Sequence, residues 1–230
     1  AVHRNRWELG KAVKSWQRAL ELEPTAATHE SMADCCLLLR WDDKAEQHYR
    51  EALKLSGSVA AATRIRRKLD AMPRVREFPA DHKLGIKDHT YCNHQTVLLG
   101  CWLDDGLDIN EYFFFNLDYL DMASILRRFL ALHAHFQWPF TAVMAVDEPS
   151  VPLALAIAKL LSIPTRAADE LSTQDMPLIV QAIGLEAAPL REAAAHLPGR
   201  CLTFCLAMSS EADWTPDVAG IITPLESTVP

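Results

Sequence analysis

The chain of 230 residues is half hydrophobic and 23% charged, with a formal net charge of −7. That apolar content supports a packed core and excludes a mainly disordered chain; the length suits one large domain or two small ones. No apolar run reaches the roughly 18 residues that a membrane helix needs, and the acidity argues against general nucleic-acid binding.

The charge is uneven: +5 over residues 1–76 and −12 over residues 77–230. This divides the chain in two. No secretory signal opens it, and the first residue is Ala1, so it reads as a fragment or a processed chain. Cys35, Cys36, Cys92, Cys101, Cys201 and Cys205 form no CxxC pair. They read as reduced, partly buried thiols of a reducing, cytoplasmic compartment.

The first part reads as helix. Ala12, Trp16, Ala19 and Leu20 fall on one helical face, and Pro24 stops the segment. The pattern returns 33 residues later as Ala45, Tyr49, Ala52 and Leu53. A period of about 34 residues marks a helix-turn-helix array. The spacing predicts further helices over residues 26–39 and 59–72. These residues resemble the tetratricopeptide repeat, with Ala12, Trp16, Ala19 and Pro24 as its small–aromatic–small–Pro signature and Ala45, Tyr49 and Ala52 as the second copy. Gly57 near the second proline position departs from it. The resemblance covers residues 5–72 and implies a groove for a protein or peptide partner, with possible self-association. Only one and a half repeats are visible, so either more precede Ala1 or the helices lean on the second part.

Pro73 and Pro79 break the helical pattern. We expect a helical segment over 1–73, a linker over 74–95 and an α/β domain over 96–230. In the linker, His89, Cys92 and His94 are ligand types, but their spacing matches no common zinc pattern. A solvated loop or short strand pair is expected there, and no metal is predicted.

Strands are expected over 96–102, 112–117, 141–146, 163–167, 177–183, 200–207 and 218–223, with helices over 121–136, 151–161 and 186–196. The helix at 151–161 is apolar nearly all round and reads as buried. Alternation of strand and helix, with an unbroken apolar strand at 141–146, predicts a mainly parallel sheet between helices, a three-layer arrangement. The fold class is therefore helical hairpins followed by α/β.

The run from Phe140 to Pro164 is strand, short loop, Ala/Leu-rich helix and Ser-Ile-Pro. It resembles the first half of a type I phosphoribosyltransferase domain, and the likeness extends over residues 119–223 at fold level. The resemblance implies a loop holding pyrophosphate through backbone N–H groups at a helix N-terminus. Here that loop is Asp147-Glu148-Pro149-Ser150 in place of glycines. The strand at 200–207 leads to Ser209 and Ser210 without the family's paired acids. These departures imply a domain that has lost catalysis.

The candidate ligand-binding residues are Asp147, Glu148, Ser150, Ser209 and Ser210, with Asp147 and Glu148 the candidate catalytic pair. The two carboxylates suit a metal ion, a ribose hydroxyl or a general base, or else an N-cap for the following helix. His133 reads as a satisfied core histidine. Arg64, Arg66, Arg67, Lys68, Arg74 and Arg76 read as a solvated face or a docking strip. GxGxxG, Walker, GxSxG and HExxH motifs are absent.

The leading expectation is an adaptor: helical repeats bind a protein partner, and the α/β module is non-catalytic, with no cofactor. The alternative is an enzyme, phosphoribosyltransferase-like or glycosyltransferase-like, that binds a phosphorylated or nucleotide-type ligand with magnesium.

Overall fold

The computed structural model describes residues 8–101, 104, 105, 107, 117–185, 188–197, 199–209 and 215–223. The chain forms two compact units, Ala1–His94 and Gln95–Pro230.

The first unit contains α1 (Leu9–Leu22), α2 (Ala26–Leu38), α3 (Asp42–Lys54), α4 (Val59–Val75) and α5 (Ile86–His94). Each helix packs on the next. Pro24 stands between α1 and α2, and Thr25 starts α2 with a reciprocal cap: Thr25 Oγ1 accepts from the Thr28 N–H at 3.2 Å, and Thr28 Oγ1 from the Thr25 N–H at 2.9 Å. Small side chains let the helices approach, and Ala12, Ala33, Ala45 and Ala52 are buried with Tyr49, Ile65 and Met72. Trp16 and Leu20 pack at the edge of this core. Ala19 is half-buried and Pro24 exposed.

Two expectations change here. Helix α4 continues past Met72 to Val75 with Pro73 inside it; a proline removes one donor, and the remaining bonds of the last turn still form. Residues 86–94, expected as loop or strand, form α5. Arg40 ties the segment between α4 and α5 to the core. Its guanidinium donates to the carbonyls of Val75 (3.2 Å), Phe78 (3.3 Å), Pro79 (2.9 Å) and His82 (2.6 Å), and it pairs with Asp42.

The second unit contains β1 (Val97–Leu98), α6 (Tyr119–Phe136), β2 (Ala142–Ala145), α7 (Val151–Leu161), β3 (Pro177–Gly184), α8 (Ala188–His196), β4 (Leu202–Ser209) and β5 (Val218–Thr223). The five strands form one parallel sheet in the order β1-β5-β4-β3-β2. Alternate residues face opposite layers. Val143, Leu178, Val180 and Phe204 pack with Ile125 and Phe129 of α6 and with Ala154 and Ile157 of α7. Met144, Ile179 and Cys205 pack with Leu190 of α8 on the other face. The fold is therefore a helical part joined to a three-layer α/β part, as the residue pattern predicted.

Local corrections remain. Among the described residues of the strand expected at 96–102, only 97–98 are ladder. Leu99 and Gly100 still donate to Ala219 and Gly220 at 2.8 and 2.7 Å. Residues 163–167 form a single parallel bridge, Thr165 to Val143. The expected strand at 112–117 lies outside the described residues except for Leu117. Helix α7 is not buried all round: Val151, Leu155 and Leu160 are exposed. His133 stacks on Phe140, but its buried Nδ1 has no partner among the described residues, so it is not satisfied.

Candidate ligand site at the carboxyl ends of β2 and β3

The loop after β2 leads to α7 on one face of the sheet, and the loop after β3 leads to α8 on the other. From β2, the chain runs outward through α7 to the bridge at Thr165; from β3, it runs inward to β4. Direction thus reverses between β2 and β3, and in an open parallel sheet ligands bind beyond the strand ends at such a switch point. The residues there are Val146, Asp147 and Glu148 after β2 and Gly184 and Leu185 at the end of β3.

Asp147 starts the short 3-10 turn Glu148–Ser150. Its Oδ1 accepts from the Ser150 N–H at 2.9 Å and from the Ser150 hydroxyl. Ser150 is fully buried, and its hydroxyl also accepts from the Ala182 N–H of β3 at 2.8 Å. The serine thus stitches the loop to the neighbouring strand, and its hydroxyl is committed to the fold. Asp147 Oδ2 and the exposed Glu148 carboxylate have no hydrogen-bond partner among the described residues. The helix-cap and ligand readings therefore divide between the two oxygens of one carboxylate.

This loop has few donors for a bare anion. Pro149 and Pro152 carry no N–H, the Ser150 N–H is held by Asp147, and the Val151 N–H bonds to the Glu148 carbonyl. Ser209 is buried at the end of β4, opposite Thr223, and already engaged. Ser210 lies outside the described residues.

The structure adds a cleft at the sheet edge that sequence reasoning missed. A cleft of about 290 Å³ runs beside β2, bounded by Ala145, Val151, Leu155, Thr165, Arg166 and Glu170. The Arg166 N–H donates to the Val143 carbonyl at 3.0 Å, and its side chain pairs with Asp175 at 3.2 Å. Ser172 hydrogen bonds hold the Asp175 carboxyl below its ordinary value. The only sequence signal was a cation just after Ser-Ile-Pro.

Among the described residues, no group of three or more His, Cys, Asp or Glu side chains converges on a metal-sized site. His89, Cys92 and His94 lie on α5 without converging. Cys92 points into the cluster with Ala71 and Val75, and burial pushes its thiol up. The cationic run is largely spent inside the helical unit: Arg64 and Lys68 pair with Glu30, Lys68 also with Asp34, and Arg76 with Asp43 and Glu46. Arg74 donates to the Cys92 carbonyl at 2.6 Å.

No family model matches the chain, and no curated protein matches it. Solved structures do. The purine phosphoribosyltransferase from Pyrococcus horikoshii Ot3 is 14% identical, with a TM-score of 0.39, over 46% of this chain and 86% of its own. The xanthine-guanine-hypoxanthine phosphoribosyltransferase of Helicobacter pylori is 10% identical, with a TM-score of 0.37, over 50% of this chain and 88% of its own. These are distant likenesses, and the account of the fold stands on the strand order and packing above. They nevertheless correct the leading expectation. Both neighbours are transferases rather than helical-repeat adaptors, and the adaptor reading with a non-catalytic sheet module is withdrawn. No helix among the described residues is long and apolar enough to cross a membrane.

Proposed function

We propose that the sheet unit is of transferase type and binds a phosphorylated or nucleotide-type ligand, as its magnesium complex, at the carboxyl ends of β2 and β3. One observation carries this: the switch point presents two adjacent carboxylates, Asp147 and Glu148, and almost no spare backbone donor. Such a loop repels a bare phosphate. Magnesium is bound in enzymes through one or two carboxylates together with ligand phosphates, and this donor set fits that requirement. Asp147 Oδ2 and Glu148 would hold the ion, which screens the charge between carboxylate and phosphate. Arg166 is held by Asp175 just before β3, at the other end of the strands, and is not part of this site. The two compact units are taken as two domains, and the helical one as tetratricopeptide-like, on the burial of Ala12 and Ala45 at equivalent positions and of Tyr49 and Ala52 where Trp16 and Ala19 are half-buried.

The test is calorimetric titration with phosphoribosyl pyrophosphate, with and without magnesium, on the wild type and on Glu148→Gln. Glu148 is exposed, so the variant is expected to fold. Magnesium-dependent binding that weakens at least tenfold in Glu148→Gln is expected. Absence of heat at millimolar ligand, with the protein folded, sinks the reading.

A further inference from the structure

A second cavity lies wholly within the helical unit. It holds about 400 Å³ between α2, α3, α4 and α5, a volume in the range of small-molecule sites. We propose that it takes a small uncharged amphiphile, its apolar body against Leu37, Leu38, Met72 and Val75 and its hydrogen-bonding head against His89 and Asn93. This site is independent of the one at the sheet.

The walls fix the body of the ligand. Leu37 and Leu38 come from α2, and Ala71, Met72 and Val75 from α4; the buried Cys92 adds a further apolar surface. Such a lining gains by covering aliphatic or aromatic carbon.

The polar groups fix the head. Asp34 accepts from the Tyr49 hydroxyl at 2.7 Å and from Lys68 at 2.7 Å. Lys68 also meets Glu30 at 2.9 Å, and Arg64 grips Glu30 with bonds of 2.9 and 2.8 Å. The charges lining the cavity are therefore already paired. An ionic head would have to displace one of these partners, leaving a half-buried charge unpaired. The imidazole of His89 and the amide of Asn93 have no hydrogen-bond partner among the described residues. Burial holds His89 below its ordinary value, with Asp88 opposing, so its ring is neutral at pH 7 and offers one donor and one acceptor. Asn93 offers both kinds of group as well. Uncommitted hydrogen bonding without charge is what this wall presents.

The test uses the full chain and two dyes. N-phenyl-1-naphthylamine is neutral with one N–H; 1-anilinonaphthalene-8-sulfonate has a similar body with an anionic head. The expected result is saturable, one-to-one fluorescence enhancement by the neutral dye, with binding of the sulfonate at least tenfold weaker. Ala71→Phe fills the cavity and is expected to abolish binding. Should that variant not fold, Asn93→Leu, at an exposed position, is expected to weaken the neutral dye. In the wild type, the His89 ring resonances are expected to shift on dye addition. Equal binding of the two dyes overturns the proposal. So does unchanged neutral-dye binding in a folded Ala71→Phe or Asn93→Leu protein, or a His89 resonance that does not move.

Discussion

At the scale of single residues, Ser150 separates architecture from chemistry. Its hydroxyl donates to Asp147 and accepts from the Ala182 N–H. Ser150→Ala leaves the half-buried Ala182 N–H of β3 without a partner, which costs about 1 kcal/mol. Urea denaturation is expected to show that loss, and magnesium-dependent ligand binding by the folded variant is expected to stay within a few-fold of wild type. A variant as stable as wild type but unable to bind would assign the hydroxyl to the ligand instead. No spacing rule could have found this role, because Ala182 lies 32 residues along the chain. The position of Asp147 and Glu148 at a strand end was legible from the apolar run before them.

Titration gives a second prediction at this scale. His29 and His48 bring their Nδ1 atoms within 3.1 Å across α2 and α3. Burial first, then His29, holds His48 below its ordinary value, with Lys44 adding to the shift and Glu51 opposing it. A depressed histidine binds its proton more readily unfolded than folded. Stability is therefore lost as pH falls through the unfolded histidine value of about 6.5. Glu30 acts in a separate window. Its hydrogen bonds from Arg64 hold its carboxyl at about 2, so its contribution is present above about 4.5 and disappears as pH falls toward 2. Thermal melts are expected to show a decline between pH 7 and 5 that His48→Gln flattens, and a steeper fall below 4.5 that it does not change. Parallel curves for the two proteins above pH 5 would show that the pair does not matter.

At the scale of elements, what the sequence showed depended on how far the determining contacts lay along the chain. Helices α1 and α3 were legible because small and aromatic residues recur 33 positions apart, and α4 because Ala61, Ile65, Leu69 and Met72 keep helical spacing. Helix α5 was not: it has nine residues and turns only Thr90 and Cys92 fully inward, too short a stripe for a period. Helix α7 misled in the other direction, since a sequence apolar except for Lys159 carries little mark of which face meets the sheet. Residues 163–167 stop at one bridge, because Pro164 has no N–H to extend a ladder. The β4–β5 pairing depends on a glycine that no pattern singled out. A Cβ at Gly220 would lie 2.2 Å from the Leu206 carbonyl oxygen and 2.9 Å from Ile125 Cγ2. Both neighbours belong to packed elements, so Gly220→Ala forces backbone apart and is expected to cost about 3 kcal/mol. A denaturation midpoint within error of wild type would show that the two strands yield without penalty.

At the scale of the whole molecule, the question is whether the helical unit is a folding unit or an appendage. Four short helices alone bury a small core, and small cores are marginal. This unit has additional support. Helix α5 closes the end of the stack, where Cys92 packs on Ala71 and Val75, and Arg74 caps the Cys92 carbonyl. Arg40 fastens the intervening turn through four carbonyls. The ion pairs of Glu30 and Asp34 join α2 to α4. The unit also has its own buried core around Tyr49, Ile65 and Met72, while the sheet unit has cores on both faces of its strands. Residues 1–94 and 95–230, expressed separately, are each expected to melt cooperatively with the helix and strand content of the parent. The helical piece should lose that cooperativity if cut at residue 79, which removes α5 and the His82 carbonyl that Arg40 holds. If residues 1–94 stay unfolded while 95–230 folds, the helices depend on chain outside the unit, and α5 is not the cap inferred here.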